Sequence, residues 1–338
     1  MPEIMPDTMS AQYDVVAIGN AIVDVIASAT DDFIVSEKLS RGSMQLIDAD
    51  RATELYGKMG PGREVSGGSA ANTIAGMAAL GRKCAFIGQV ASDQLGDVFA
   101  HDIRAIGVDF GTPARDAEPP TARCLILVTP DGQRTMNTFL GASQFLPAAA
   151  IDRDLIADSA ILYLEGYLWD PEEPRAAMRA AIEIARGAGR KVAFTLSDAF
   201  CISRHGDDFR KLIDDGMIDI LFANDGEVHA LMGTEDVASA VTALSAKVPT
   251  LVVTHGANGA EAHSGGDHAR VAAEPIDKVV DTTGAGDLFA AGFLAGQAEG
   301  RSLGDSLTMG AICAAEVISH YGPRPEADLR ALVDARLG

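Results

Sequence analysis

Residues 281–294 read DTTGAGDLFAAGFL, a glycine-rich turn that opens a run of small and apolar residues typical of a buried helix. The first N–H groups of a helix have no acceptor within it, and the helix dipole makes this end positive, so it attracts anions. We therefore expect the N–H groups of Gly284, Ala285 and Gly286 to form a site that can hold a phosphate.

Asp287 stands out in this stretch because a carboxylate beside an anion site repels the anion. Its position makes sense if it accepts a proton from a hydroxyl group that attacks phosphorus. The alternative is that Asp287 is a first-turn acid that stabilises the helix dipole. The spacing alone leaves both interpretations open.

A second glycine-rich stretch, GGSAAN, covers residues 67–72. Adjacent glycines allow a ligand to approach the backbone closely, and an asparagine offers both a donor and an acceptor to sugar hydroxyls. A tight strand-to-helix turn would explain the same stretch without a ligand. The residues that we predict to bind substrate here are Gly67, Gly68, Ser69 and Asn72.

Both stretches resemble the two signatures of the ribokinase-like (pfkB) carbohydrate and nucleoside kinases, and the resemblance extends from Asp14 to about Gly322. Ile74 and Ala91 are conservative departures from the N-terminal signature, which contains GGSAAN. The resemblance implies that Asp287 is the catalytic base and that Gly284–Gly286 form the anion hole for the transferred phosphoryl group.

Further motifs resemble the ATP side of the same family. Asn224-Asp225-Gly226-Glu227 looks like a motif that organises water around Mg²⁺ and the ATP phosphates, and Mg²⁺ keeps much of its water. An asparagine cap with an acidic first turn is the alternative. In the stretch VTHGANGA, residues 253–260, we predict ATP contacts from Thr254, Gly256 and Gly259, and we interpret His255 as incidental.

Several details resemble adenosine kinases rather than sugar kinases. The resemblance implies that Asn20 lies near the base and that Asp24 binds the ribose 2′- and 3′-hydroxyls, since one carboxylate can accept from two hydroxyls. Tyr167 and Phe200 are predicted aromatic contacts in the nucleoside pocket. Sugar kinases of the fructokinase or ribokinase type, and kinases of inosine or guanosine, remain alternatives.

Strand-like apolar runs alternate with helical stretches along most of the chain, which predicts a doubly wound, mostly parallel sheet with helices on both faces. Residues 24–48 and 115–143 break this rhythm and look extended. We expect them to form a small β-sheet lid within a single kinase domain, residues 13–338. Arg134, in the second lid strand, would bring a positive charge to the phosphates. Residues 1–12 are predicted to be a flexible extension.

Composition and charge exclude some classes of binding partner. The formal net charge is −21, without a run of Lys or Arg, which makes nucleic acid and anionic membranes poor partners. Four scattered cysteines without a CxxC pair favour a reducing compartment, so we predict a cytoplasmic location. We also predict a monomer or a homodimer. No GxGxxG follows the first strand, which disfavours a dinucleotide-dependent oxidoreductase, and a pure nucleotide-binding protein would not need Asp287. The family also raises a monovalent cation (K⁺) near Asp281 and Thr283, which the sequence does not decide.

Overall fold

A computed structural model describes residues 11–338, so most of the predicted N-terminal extension lies outside the described residues. The strands are β1 (Tyr13–Ile18), β2 (Ile22–Ser28), β3 (Met44–Leu46), β4 (Gly62–Gly67), β5 (Cys84–Ile87), β6 (Asp109–Phe110), β7 (Ala122–Val128), β8 (Arg134–Phe139), β9 (Ser159–Glu165), β10 (Lys191–Thr195), β11 (Ile220–Asn224), β12 (Thr250–Thr254), β13 (Ala260–Ser264) and β14 (Asp267–Val271). The α-helices are α1 (Asp31–Ser36), α2 (Ala49–Lys58), α3 (Ser69–Ala79), α4 (Gln94–Ala105), α5 (Arg153–Ala157), α6 (Glu172–Gly187), α7 (Ala199–Asp214), α8 (Asp225–Met232), α9 (Val237–Ser245), α10 (Ala285–Ala298), α11 (Leu303–Val317) and α12 (Leu329–Leu337).

The main sheet has nine strands in the order β14-β13-β12-β11-β10-β9-β1-β5-β6. Seven consecutive strands, β12 through β6, pair in parallel, and β13 and β14 extend the sheet as antiparallel strands. The predicted mostly parallel, doubly wound sheet is confirmed. In such a sheet the carboxyl ends of the parallel strands share one edge, where ligands bind.

Apolar side chains cover both faces of the main sheet. Because successive residues of a strand point to opposite faces, Val15 and Ala17 of β1 pack into one core with α3, α4, α10 and α11, whereas Val16 and Ile18 pack into another with α6 to α9. The parallel strands are therefore buried on both sides, which explains their continuous apolar sequences.

The small sheet has five strands in the order β3-β8-β7-β2-β4. The extended residues 115–143 contain the antiparallel strands β7 and β8, and β2 pairs in parallel with β7. One face packs Val25, Leu125 and Leu127 against Ile34 of α1 and Leu55 of α2. The other face, described below, lines a cavity.

Two predictions about the small sheet need correction. Residues 24–48 are not extended throughout, because α1 occupies Asp31–Ser36, and the sheet also takes β4 from outside the predicted insertions. Asp24 lies on β2 of the small sheet, after the end of β1 at Ile18. A helix of six residues is too short to show an apolar period.

Among the helices of residues 11–338, none combines the length and the apolar character needed to cross a membrane. The four cysteines are buried and unpaired by disulfides.

Candidate active site

A cavity of about 390 Å³ lies where the carboxyl ends of the main-sheet strands meet the small sheet. Four strands end on its wall, at Glu165 of β9, Thr195 of β10, Asn224 of β11 and Thr254 of β12. The predicted residues that line it are Asn20, Asp24, Gly68, Ser69, Asn72, Arg134, Tyr167, Phe200, Asn224, Glu227, Thr254, Gly284, Ala285, Gly286 and Asp287. Most of the predicted side chains thus share one wall, although they come from distant parts of the chain.

The glycine-rich turn ends at Gly284, which caps α10 with a left-handed backbone (φ +78°). A side chain there would also meet Pro323, since a Cβ would lie 2.9 Å from its Cβ. The N–H of Ala285 donates to the Thr282 carbonyl at 3.3 Å, and the first helical bond of α10 is that of Leu288 to Gly284. The N–H of Gly286 therefore has no acceptor in the helix, as an anion site requires.

Asp287 lies in the first turn of α10 and faces α3. The Ser69 hydroxyl donates to Oδ1 at 2.6 Å, and Nδ2 of Asn72 donates to Oδ2 at 2.9 Å. Burial raises the pKa of Asp287, and these two hydrogen bonds partly oppose the rise. A carboxylate has about four acceptor sites, so it can still accept a proton from a substrate hydroxyl.

Nδ2 of Asn72 is held by Asp287, whereas its Oδ1 is buried without a hydrogen-bond partner. Gly67 does not line the cavity. Its Cβ would lie 2.2 Å from the Asp24 carboxylate, so the missing side chain makes room for that group. Asn72 therefore positions the carboxylate of Asp287, and Gly67 leaves space for that of Asp24.

Asp24 is 6% exposed, and no donor among residues 11–338 forms a hydrogen bond with its carboxylate. Burial raises its pKa to about 7, against the opposing attraction of Arg324. Arg324 is itself tied to the carbonyls of Ser66 and Ala71, at 2.9 and 2.7 Å. A buried carboxylate with free acceptor sites on a cavity wall is suited to paired hydroxyls.

Glu165 organises the loop that carries Asn20. Its carboxylate accepts from the N–H and Nδ2 of Asn20, at 2.8 and 2.7 Å, and from the N–H of Ala70 at 2.6 Å. Burial raises the pKa of Glu165 to about 7, despite these donors. Ser143 then donates to Oδ1 of Asn20 at 2.8 Å, so the amide of Asn20 has a fixed orientation.

Arg134 joins the small sheet to the glycine-rich turn. Its guanidinium lies 2.7 Å from Oδ1 of Asp281 and donates to the hydroxyls of Thr282 and Thr283. Oδ1 of Asp281 also accepts from Thr283, and Oδ2 accepts from the N–H of Gly322 at 3.0 Å. A positive charge from β8 therefore lies beside the positive end of α10.

Asn224 and Glu227 form a capping box at the start of α8. Oδ1 of Asn224 accepts from the N–H of Glu227 at 2.9 Å, and the Glu227 carboxylate accepts from the N–H and Nδ2 of Asn224. The helix-cap alternative thus applies, and both residues also line the cavity. Burial raises the pKa of Glu227 to about 7. A hydrated Mg²⁺ fits this arrangement, because a water can bridge to the carboxylate without breaking the cap.

Gly256 and Gly259 do not line the cavity, unlike Thr254. A Cβ on Gly259 would lie 2.0 Å from the Val271 carbonyl, so the packing of β13 against β14 accounts for this glycine. His255 turns away and pairs with Asp225 and Glu261.

The two predicted aromatic residues flank the same part of the cavity. The Tyr167 hydroxyl donates to the Ser197 carbonyl at 3.2 Å, which fixes its ring. Phe200 is 58% exposed, and the guanidinium of Arg204 lies 3.7 Å from its ring centroid. Arg204 is in turn paired with Asp170 at 2.6 Å.

Sequence reasoning missed Glu165, Ser143 and Arg324. Glu165 had a detectable signal, since it is the only charged residue in the apolar strand β9. Ser143 and Arg324 belong to no motif and act on residues more than 120 positions away.

A cavity that combines a helix N-terminus, a neighbouring carboxylate and an arginine is the equipment of a phosphotransferase that acts on small molecules. The model of the pfkB family carbohydrate kinases matches residues 14–329. The chain belongs to this family, and it is a sugar or nucleoside kinase. Members of the family are phosphotransferases that use ATP with Mg²⁺.

Three similar proteins illustrate the range of the family. The adenosine kinase from Sinorhizobium meliloti, known from a crystal structure, is 48% identical in sequence to this chain. The two structures give a TM-score of 0.91, over 96% of this chain and 99% of that one. A protein from Rhizobium etli described as a probable sugar kinase is 46% identical, with a TM-score of 0.92 over 96% and 98% of the two chains. A fructokinase from Klebsiella pneumoniae is 31% identical over 245 residues, 71% of this chain and 80% of its own.

Proposed function

We propose that the protein transfers the γ-phosphoryl group of ATP to the 5′-hydroxyl of adenosine, giving AMP and ADP. The similarity to the Sinorhizobium adenosine kinase supports this substrate. The single observation that carries the proposal is the environment of Asp24.

Asp24 is a buried carboxylate with free acceptor sites on a largely apolar wall of the cavity. The apolar small-sheet residues on this wall include Ile22, Met44, Leu46, Ile126 and Met136, and Thr138 and Arg134 are the other polar side chains that the sheet contributes. A hexose carries hydroxyls on most of its carbons, and burying them against such side chains leaves them without hydrogen bonds, which is costly. A nucleoside presents two vicinal hydroxyls and a flat base whose faces can pack against apolar side chains, so it matches both parts of this wall.

The chain's own residues account for the transfer. Asp24 and Gly68 would hold the ribose, and the 5′-hydroxyl would give its proton to Asp287 as its oxygen attacks the γ-phosphorus. The bond from that phosphorus to the bridging oxygen of ADP breaks in the same step. Gly286, the neighbouring N–H groups and Arg134 would stabilise the negative charge on the transferred group.

The nucleotide would lie along the ends of β11 and β12. Thr254 is positioned for the phosphates or the ATP ribose, and Asn224 and Glu227 would hold Mg²⁺ through water. Mg²⁺ neutralises charge on the phosphates during transfer. Asp281 and Thr283 are the proposed neighbours of a monovalent cation, and Arg134 already contacts both.

We further propose that the small sheet acts as a lid. It carries Asp24 on β2 and Arg134 on β8, so its approach would bring the ribose ligand and the phosphate charge together. Closure excludes water and limits hydrolysis of ATP. The four unpaired cysteines support a cytoplasmic location.

A sugar kinase is the second candidate, favoured by the fructokinase and the probable sugar kinase among the relatives. The test is ADP release with adenosine, inosine, guanosine, ribose and fructose at matched concentrations with ATP and Mg²⁺. We expect the highest kcat/KM with adenosine. A higher kcat/KM with fructose or ribose would contradict the proposal and identify a sugar kinase, and preference for inosine or guanosine would correct the base alone.

A further inference from the structure

Three of the seven histidines lie within residues 255–268, at the β12–β13–β14 edge of the main sheet. Two of them, His263 and His268, join Glu261 in a cluster whose possible ligand atoms all lie within 4.8 Å of one another. Within residues 11–338, no other group of three or more His, Cys, Asp or Glu side chains is arranged in this way. The kinase reaction proposed above does not use Glu261, His263 or His268.

The geometry of the β13–β14 hairpin places these side chains together. Glu261 and His263 are two residues apart on β13, so they share one face of the strand. His268 of β14 pairs directly with His263. The register is set by Gly265 and Gly266, whose φ angles of +59° and +93° are those of a tight two-residue hairpin turn.

The distances match a divalent transition metal. Oε2 of Glu261 lies 3.3 Å from Nε2 of His263 and 2.9 Å from Nε2 of His268. Tetrahedral Zn²⁺ with bonds of about 2.0–2.1 Å holds its ligand atoms about 3.3 Å apart. The imidazole rings are stacked, 4.3 Å apart, so they need only tilt for both nitrogens to face one ion.

An independent observation points to a missing ligand. Nε2 of His263 is buried and has no hydrogen-bond partner, although Glu261 lies in front of it. A buried polar atom without a partner is costly, and a bound metal would satisfy it. His268 is half-exposed, which leaves the outer side of the site open to water.

His255 supplies the support that metal ligands usually have. Its Nε2 lies 3.1 Å from Oε1 of Glu261, and its Nδ1 lies 2.6 Å from Oδ1 of Asp225. One oxygen of Glu261 is thus fixed by a positioning residue while the other faces the two hairpin histidines. Such outer partners orient ligating carboxylates and tune metal affinity.

We propose that Glu261, His263 and His268 bind one divalent transition-metal ion, with Zn²⁺ as the reference ion and water as the fourth ligand. Two imidazoles and a carboxylate favour Zn²⁺ over Mg²⁺, which prefers oxygen ligands. This site is separate from the magnesium position at Asn224 and Glu227. Its test does not involve phosphoryl transfer, so it can succeed or fail independently of the proposed kinase reaction.

The test uses the full chain without a histidine tag, stripped with EDTA, and titrates Zn²⁺ by calorimetry and Co²⁺ by visible absorption. We expect one equivalent of Zn²⁺ and the intense absorption bands of tetrahedral Co²⁺. His263→Ala and His268→Ala should each weaken Zn²⁺ binding more than His255→Ala, for which loss of an outer partner predicts about 10–100-fold. His101→Ala, which removes an exposed histidine of α4, should change nothing.

His268→Gln serves as a second variant because an amide can still donate to Glu261 but is a poor ligand of Zn²⁺. Thermal melts of the metal-free variants identify any that fail to fold. Absence of stoichiometric Zn²⁺ binding would overturn the proposal, as would wild-type affinity in His263→Ala or in His268→Gln.

Discussion

The main sheet and the small sheet differ in how their two faces are covered. The central parallel strands of the main sheet are packed against helices on both faces and are buried along most of their length. The small sheet packs one face against α1 and α2 and turns the other toward the cavity. Its cavity face therefore carries Asp24, Thr138 and Arg134 among apolar side chains, whereas the parallel strands of the main sheet present polar residues to the cavity where those strands end.

This difference suggests a division of labour. The anion site and Asp287 stand on α10, which is held on both sides by α3 and α11. Asp24 and Arg134 stand on a sheet with a thin core. A reaction that needs fixed geometry would depend on the first region, and selection of a substrate would depend on the second.

The largest expected effect is a loss of turnover on substitution of Asp287, which lies on α10 beside the main sheet. Asp287→Asn keeps the size of the side chain but removes the base, which typically contributes about 10²–10⁴-fold. We expect kcat, measured by ADP release, to fall by at least about a hundredfold. Nucleoside binding should survive, because the proposed function assigns the ribose to Asp24 and not to Asp287.

The matched control is Asp305→Asn, which removes a first-turn carboxylate from α11. A helix-dipole role costs about 0.3–1 kcal/mol of stability and leaves turnover intact. If Asp287→Asn, like this control, keeps kcat within tenfold of wild type, Asp287 is a helix acid and not the base.

Asp24→Ala should act on substrate binding from the small sheet. Hydrogen bonds to a charged group contribute about 1.5–3 kcal/mol each, so the KM for adenosine should rise at least tenfold while the affinity for ATP stays unchanged. Asp131→Asn, in the β7–β8 turn of the same sheet, removes an exposed carboxylate as the control. An unchanged KM in Asp24→Ala would exclude Asp24 as the ribose ligand.

Packing can be compared with two glycine substitutions. In α3, a Cβ on Gly76 would lie 2.5 Å from Leu288 and 2.7 Å from Ala291 of α10, so Gly76→Ala should lower the free energy of unfolding by about 1–3 kcal/mol. In α2, a Cβ on Gly57 meets nothing within 4 Å, and Gly57→Ala should raise it by about 0.5–1 kcal/mol. Urea unfolding measures both values. Effects of the same sign would contradict the described packing of α3 on α10.

The pKa of Asp24, about 7, predicts pH-dependent nucleoside binding. In the proposed complex the ionised carboxylate accepts hydrogen bonds from two hydroxyls, so nucleoside affinity should be full above the pKa and weaken as the pH falls through 7. One pH unit below the pKa changes affinity by up to about tenfold. Calorimetry between pH 6 and 8.5, without ATP, measures this slope.

Glu165 has a pKa in the same range, so the comparison needs Asp24→Asn, which cannot ionise. We expect its nucleoside affinity to be independent of pH. A slope equal to that of the wild type would assign the titration to Glu165 or another group.

Much of the fold follows from local sequence. The alternation of apolar runs with helical stretches indicated the main sheet, and the break in that alternation at residues 115–143 indicated two strands of the small sheet. The missing parts were the short elements: α1 has six residues and β4 begins with polar ones, so neither shows a clear period.

The site was predictable where motifs carry it and not where distant residues meet. The two glycine-rich stretches led to Ser69, Asn72 and Asp287, yet the hydrogen bonds among them join residues more than 200 positions apart. The support of Asn20 by Glu165 and the charge of Arg324 depend on such long-range contacts alone. Tertiary structure was needed to see them.

The division of labour is tested most directly by a crystal structure of the Asp287→Asn variant with adenosine, ADP and Mg²⁺. We predict the ribose 2′- and 3′-hydroxyls within hydrogen-bonding distance of Asp24, the base against the apolar side chains of the small sheet, and the 5′-hydroxyl beside position 287. A nucleoside bound with its ribose away from Asp24, or with its 5′-hydroxyl remote from position 287, would contradict the account.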